Sequence, residues 1–321
     1  MSKNKLLFNS LVSFIIVFLC VFIFFYKSND NFLFSNILFH IYNGWIYLIS
    51  ASILLILSVY IRSFRWKYLF QTTQPQGIKD LFSAQLIGYF INNITPLRVG
   101  DFAKSYLIAK KTDMKTSYIL GSIIMERVLD TLMLFIFMLV VIWNYGLDYL
   151  NISFSFSSIP LYVFISLIFI TAFLIYYSNI FIPVKIKNIL SELWNGFTSI
   201  HSSNKSLVIF SSILIWLIYW TNVFLIQSIF PFFELTFIDC LFILVASSFI
   251  QMIPTGFGGL GIFHLGVESV LFKLGVTNYY HFVILLWLYS YCVYTTLGSY
   301  YFIKEGEFTF KNLYNDLIKN H

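Results

Sequence analysis

Residues 92–101 read Asn92-Asn93-Ile94-Thr95-Pro96-Leu97-Arg98-Val99-Gly100-Asp101, and they cut through an otherwise apolar stretch from Leu81 to Ala109. A second apolar stretch, Cys240 to Leu274, is cut by Gln251-Met252-Ile253-Pro254-Thr255-Gly256-Phe257-Gly258-Gly259-Leu260-Gly261. Proline removes a backbone donor and breaks a helix, and glycine permits the sharp path that must follow. Irregular backbone at membrane depth survives only when it is buried in protein or lines a wet cavity. Both stretches therefore predict a re-entrant hairpin, entering and leaving on the same side.

The rest of the chain supplies the membrane. Of 321 residues, 59% are hydrophobic and 11% charged, against roughly 25% charged in a soluble domain. That deficit excludes a disordered chain, a nucleic-acid-binding module and an ordinary cytosolic enzyme. Six stretches reach the about 20 apolar residues that a crossing needs: 6–26, 44–63, 117–142, 159–180, 207–229 and 281–303. The first is too long for a signal-peptide core and is read as an uncleaved span. Cys20, Cys240 and Cys292 show neither metal nor disulfide spacing, and no cofactor or metal is expected. The expected fold is an all-α polytopic membrane protein with six full spans plus two re-entrant hairpins arranged as inverted repeats.

Two patterns support that layout. Loop cations set orientation. With the N-terminus inside, the cytoplasmic segments hold Lys3, Lys5, Arg62, Arg65, Lys67, Lys79, Lys110, Lys111, Lys115, Lys185, Lys187, Lys205, Lys304, Lys311 and Lys319, while the outer loops hold only Lys27 and Lys273. Both termini are expected in the cytoplasm. The second pattern is internal: Pro96 and Pro254 lie 158 residues apart, and Asn93-Ile-Thr-Pro96 echoes Gln251-Met-Ile-Pro254. Residues 1–321 read as one integral membrane domain with pseudo-repeats 6–142 and 159–303 and a short cytoplasmic tail, 304–321. Each half reads span, span, hairpin, span, and three crossings invert the second half relative to the first. Broken helices in inverted repeats point to a transporter's binding site.

The candidate site residues lie at those breaks and in one span. Around Asn92 and Asn93, a half-helix start after Pro96 presents unpaired N–H groups to an anion, and Arg98 adds a planar donor array suited to phosphate. Arg98 is open to two readings, a head-group ligand or a structural clamp paired with Asp101 or another buried acid. Glu126, Arg127 and Asp130 fall within an apolar helix, where ionisable residues are costly and face a cavity or one another. They read either as a buried ion-pair network or as groups that position Arg98 or relay a proton. At the second break, Gly256, Gly258 and Gly259 mark a turn. His264 and Glu268 share a helix face as a candidate proton-coupling pair, against a structural role for both. Residues 185–205 suit an amphipathic helix at the membrane surface. No GxSxG, HExxH or P-loop is present, so no catalytic residue is assigned and the chain is expected not to be an enzyme.

The order Arg65-Trp66 after a span, then Asn93-x-x-Pro96-x-Arg98-x-Gly100-Asp101, then Glu126-Arg127-x-x-Asp130, then Pro254-x-Gly256-x-Gly258-Gly259-x-Gly261 resembles the lysylphosphatidylglycerol synthase/flippase transmembrane-domain family, over residues 10 to 305. The resemblance implies a flippase-like domain that moves or accommodates lipid carriers and aminoacylated or glycosylated lipids. Members that synthesise lysyl-lipid carry an extra soluble domain, and this chain is expected to lack that activity. Two positions depart from the family: Asp101 stands where Glu is more usual, and His264 where many members have Glu. The implied cargo is an anionic phospholipid or a polyprenyl-linked glycolipid. The alternative is a lipid-binding accessory subunit, or a membrane enzyme, that presents lipid to a partner transferase. The Lys/Asn/Ile/Phe bias suits an AT-rich bacterial genome, so the expected location is a bacterial cytoplasmic membrane, and the oligomeric state is left open.

Overall fold

The computed structural model describes residues 34–69, 77–95, 99–112, 114–146, 184–199, 204–230, 234–252, 256–277 and 279–305. The expected spans 6–26 and 159–180, together with Pro96, Arg98, Pro254 and most of the tail, lie outside them. The described residues are helical, with no strand. In chain order the helices are α1 (Phe34–Asn43), α2 (Trp45–Lys67), α3 (Ile78–Ile94), α4 (Gly100–Lys111), α5 (Thr116–Tyr145) and α6 (Val184–Phe197). They continue with α7 (Lys205–Gln227), α8 (Phe237–Gln251), α9 (Gly256–Gly259), α10 (Ile262–Lys273) and α11 (Tyr280–Lys304).

Four helices, α2, α5, α7 and α11, are long and apolar enough to cross a membrane, and they match the expected spans 44–63, 117–142, 207–229 and 281–303. Their surfaces follow bilayer logic. Along α2, Ile46, Ile49, Ile53, Leu57 and Tyr60 recur every three or four residues and are exposed, while Ser58, Arg62, Ser63 and Arg65 are buried. A helix with apolar residues outward and polar residues inward is stable where the surrounding solvent is hydrocarbon.

The two broken stretches fold as pairs of shorter helices, of 17 and 12 residues in the first and 15 and 12 in the second. α3 packs along α4, and α8 along α10. The first pair is drawn tight by glycine: a Cβ on Gly100 would sit 2.0 Å from the Gly88 carbonyl oxygen. Asn92 Oδ1 accepts the Gly100 N–H at 2.8 Å, occupying a donor that α4 leaves open at its start. The outer ends of α3 and α4 are held together as well. Lys111 Nζ bonds Asp80 Oδ1 at 2.9 Å and Glu305 Oε1 at 2.6 Å, which ties both limbs to the end of α11. Partial burial opposes the Lys111 charge, but its hydrogen bonds to Glu305 and Asp80 outweigh that and raise its pKa above the ordinary lysine value.

In the second pair, α8 opens with a capping box. Thr236 Oγ1 accepts from the Asp239 N–H, and Asp239 Oδ2 accepts from the Thr236 N–H at 2.7 Å. Gly258, Gly259 and Gly261 all have positive φ, a conformation L side chains rarely adopt, so this turn requires its glycines.

The helices exchange partners between the halves. α2 packs on α7; α3 packs on α11, as α8 does on α5; α4 packs on α5, as α10 does on α11. The first helix of each broken stretch thus lies against a long crossing helix that is remote from it in the chain, α3 against α11 and α8 against α5. The hairpin tips also meet, with α9 against α3. Trp287 Nε1 donates to the Gly258 carbonyl at 3.0 Å and Asn93 Nδ2 to Thr295 Oγ1 at 3.0 Å, so α11 holds both tips.

Of three apolar clusters among the described residues, two flank a polar layer, and the third (Ile87, Ile91, Ala103 and Leu107) joins α3 to α4. The larger of the flanking two includes Leu55, Met133, Phe137, Trp216 and residues of α8, α10 and α11; the smaller includes Trp66, Leu81, Ile108, Ile123 and Val208. Along α2, α5 and α7 the residues between these layers are the charged and polar ones described below.

Gly100→Ala places its new methyl against backbone that no rotamer change can clear. It is expected to cost about 1–3 kcal/mol and to lower the melting temperature of the detergent-purified protein. An unchanged melting curve would show that the hairpin is not set by this contact.

Candidate functional site

Glu126 is the centre of the polar layer. It lies ten residues into α5, about 15 Å along the axis from the helix start, and its side chain is fully buried. Four donors from three other helices converge on it. Arg62 Nη1 lies 2.8 Å and Arg65 Nη2 3.3 Å from Oε1, and Lys104 Nζ lies 3.1 Å from Oε2. Gln85 Nε2 reaches both oxygens at 3.3 Å. Gln85 also fixes Lys104, accepting from its Nζ at 3.1 Å. The Lys104 ammonium lies 5.0 Å from the centroid of the Trp66 ring, and Trp66 Nε1 donates to Ser122 Oγ.

Asp130, one turn further along the same face, shares the arginines: Arg62 Nη1 at 2.6 Å and Arg65 Nη2 at 2.9 Å. Arg65 Nη1 then donates to Ser212 Oγ on α7 at 2.9 Å, and Arg62 Nη2 to the Tyr219 hydroxyl at 3.3 Å. The network therefore crosses from the first half to the second.

On its other flank, Arg127 Nη2 pairs with Asp101 Oδ1 at 2.9 Å, and Lys104 Nζ lies 3.4 Å from the same carboxylate. Asp101 is thus engaged by Arg127 and Lys104. Arg98, proposed from sequence as its clamp, lies outside the described residues.

Exposure changes in one direction across this layer. The side chains of Glu126 and Arg65 are 0% exposed and Lys104 1%, whereas Asp130 is 13%, Asp101 32% and Arg127 43% exposed. The network is sealed at Glu126 and open at Arg127 and Asp101. Asp101 follows Gly100, whose N–H is held by Asn92, and Asn92 and Asn93 are themselves part-exposed. Among the seven ionised groups, four cations face three carboxylates, leaving one formal positive charge in surplus.

The structure thus brings together Glu126, Arg127, Asp130 and Asp101. Asn92 serves the α4 start, and Asn93 stands beside Gly258: a Cβ on that glycine would lie 3.1 Å from Asn93 Oδ1. Gly256, Gly258 and Gly259 lie in the short helix α9 at the second tip. His264 and Glu268 are held separately. His264 Nδ1 accepts the Gly261 N–H at 3.3 Å and its ring leans on Trp287, while Glu268 accepts from the Tyr279 hydroxyl at 3.1 Å.

One reading of the sequence is corrected. Arg62 and Arg65, counted there as cytoplasmic loop cations, are buried inside α2 and neutralise Glu126 and Asp130. The cue lay in their spacing, since residues three apart share a helix face and that face of α2 also carries buried Ser58. Lys104 and Gln85 carried no comparable signal.

Removing one partner from a buried ion pair leaves the others uncompensated and costs about 3–5 kcal/mol. Glu126→Gln should therefore strongly destabilise the purified protein in thermal melts. Adding Lys104→Met to that variant should restore part of the loss, because fewer unpaired cations remain. No recovery in the double variant would rule out direct coupling between the two groups.

Comparison with known proteins bears on this arrangement. Residues 10–298 match the family described as the lysylphosphatidylglycerol synthase TM region. The chain is also similar to the UPF0104 membrane protein MJ1595 of Methanocaldococcus jannaschii, at 35% identity over 130 residues; the match covers 36% of this chain and 39% of that relative. The aligned part therefore spans well under half of the relative's length. No solved structure matches the chain. The family match takes in α1 to α10, most of α11 and the whole charged layer, so this integral membrane protein belongs to the family of the lysylphosphatidylglycerol synthase transmembrane region.

Proposed function

We propose that the protein carries the head group of an anionic membrane lipid, a phospholipid or a polyprenyl-linked glycolipid, from one leaflet to the other while the acyl chains stay in the bilayer. The observation that carries this reading is the graded charge layer, closed at Glu126 and open at Arg127 and Asp101. A bare phosphate in hydrocarbon is prohibitively unfavourable. A fixed cation at an opening in the transmembrane bundle lowers that barrier. Arg127 is already paired with Asp101, so an incoming phosphate exchanges one anion for another at the same guanidinium, and the fork geometry suits both.

Inverted repeats supply the alternation in this reading. The reciprocal packing of α3 on α11 and α8 on α5 supports a pseudo-twofold arrangement, with six spans, re-entrant hairpins and both termini in the cytoplasm. Rocking of the halves about the α2–α7 contact would expose the Arg127 opening to each leaflet in turn. The protein acts here as a carrier and not as an enzyme. Presentation of the same lipid to a partner transferase, without leaflet exchange, is the competing use of this site.

The test is leaflet exchange of fluorescent phosphatidylglycerol in proteoliposomes. Losing one charge-assisted hydrogen bond to phosphate, worth about 1.5–3 kcal/mol, should slow exchange at least about tenfold in Arg127→Gln. Wild-type exchange by that variant would remove Arg127 from the role. Lipid binding by the wild-type protein without any exchange would favour presentation.

A further inference from the structure

Two polar ties, outside the Glu126 network, occupy matching places in the two broken stretches. The first stands at the start of α3. Asp80, the third residue of that helix, meets Lys111 at the end of α4 at 2.9 Å, and Lys111 reaches Glu305, just past the end of α11, at 2.6 Å. The second stands at the start of α8. Asp239, the third residue of that helix, accepts the hydroxyl of Tyr145, the last residue of α5. Asp80 and Asp239 are 159 residues apart, against 158 for Pro96 and Pro254. In each case an acid in the first turn of a broken stretch is tied to the end of a long crossing helix that is remote in the chain.

The two ties differ in chemistry for a local reason. At the first, Asp80 and Glu305 are both carboxylates, so a cation must bridge them, and Lys111 supplies it. At the second, Asp239 commits Oδ2 to the capping box of its own helix and leaves Oδ1 for the phenol, a neutral donor.

The ties also lie towards opposite ends of α5. Tyr145 ends that helix, Lys111 precedes its start by only a short turn, and its 30 residues span about 45 Å. Arg127 falls between them. Both ties are open to exchange with solvent: Asp80 is 44%, Lys111 31% and Glu305 22% exposed, and Tyr145 and Asp239 are part-exposed. Ion pairs at such exposure break easily, whereas the sealed pairs at Glu126 do not. The backbone contact of Gly298 on Leu86 lies about 10 Å along the helix axes from the first tie. The ends of α3 and α11 can therefore part while that contact serves as a pivot.

We propose that these two ties are the gates of the carrier, one at each face, and that they open alternately. The assignment rests on the lipid-carrier reading and on its inverted repeats, in which each tie joins one half to the other. A rocking motion that parts α3 and α4 from α11 at one face closes α5 on α8 at the other. With both gates closed, as here, the chain stands between its two open forms.

The test locks each gate in the full chain, in a background carrying Cys20→Ala, Cys240→Ala and Cys292→Ala. The pairs Asp80→Cys with Glu305→Cys, and Tyr145→Cys with Asp239→Cys, are joined by a short reducible bis-thiosulfonate in proteoliposomes. Locking either pair should slow leaflet exchange of fluorescent phosphatidylglycerol at least about tenfold, as expected when the open form is removed, and reduction should restore it. A staple that never opens predicts the opposite: undiminished exchange by the crosslinked protein overturns the gates while the carrier reading stands. Absence of exchange by the wild-type protein overturns the carrier reading itself.

A second measurement needs no cysteine and no transport. Lys111→Gln and Tyr145→Phe each loosen one tie and leave its carboxylates in place. By amide hydrogen exchange in nanodiscs, Lys111→Gln should speed exchange in the first two turns of α3 by about two- to fivefold and slow it in those of α8. Tyr145→Phe should do the reverse, because alternating gates share one equilibrium. A change confined to the substituted tie would show two independent staples and overturn the alternation.

Discussion

A carboxylate with no access to solvent, placed about 15 Å along a transmembrane helix, must be neutralised by the protein alone. Glu126 imposes that requirement, and much of the fold answers it. Arginines come from α2, a lysine from α4 and an amide from α3, so the first span of the described half, both limbs of the first hairpin and α5 are all fixed relative to one atom pair. Arg65 then extends the arrangement to α7 through Ser212. Buried ion pairs are weak sources of net stability, but breaking one is expensive. The network therefore acts chiefly as a constraint on how the helices register.

That constraint explains where the sequence was legible and where it was not. The four described crossings follow directly from runs of about 20 apolar residues, and the two breaks follow from proline and glycine chemistry at 92–101 and 251–261. Glu126 and Asp130 were visible because acids inside an apolar helix are conspicuous. Arg62 and Arg65 were not, because they lie within six residues of the end of α2 and look like ordinary interfacial cations. Their true direction depends on how α2 faces α5, which is a pairing between helices and has no local periodicity. Lys104 was hidden for the same reason, inside a hairpin limb whose mate had to be known first. Arg98, the most conspicuous sequence candidate, lies outside the described residues, among which Arg127 is the more accessible guanidinium.

Small residues do the complementary work. Where the charged groups demand a particular register, glycines let the backbones come close enough to hold it. Gly88 meets Gly100 in the first hairpin, and Gly298 on α11 lies against Leu86 of α3, where a Cβ would stand 2.5 Å from the carbonyl oxygen. In lipid, such close approach replaces the hydrophobic drive that joins helices in water. Polar neutralisation and glycine contact thus place the same helices, one through side chains and the other through backbone.

The seam between α5 and α6 shows what such contact means mechanically. A Cβ on Gly121 would fall 2.1 Å from the Leu193 carbonyl oxygen, and one on Gly196 1.8 Å from that of Tyr118. With no side chain between the two backbones there is nothing to re-rotamer, so the pair has little capacity to slide. α6 also turns Leu190 and Trp194 outward, where they can seat in the lipid surface, and Lys115 pins it through Glu192 at 2.8 Å. Helix α5 and its carboxylates are thereby joined to α6 through backbone contact. In the proposed carrier, α5 and α6 would therefore travel together as one body when the halves rock about the α2–α7 contact.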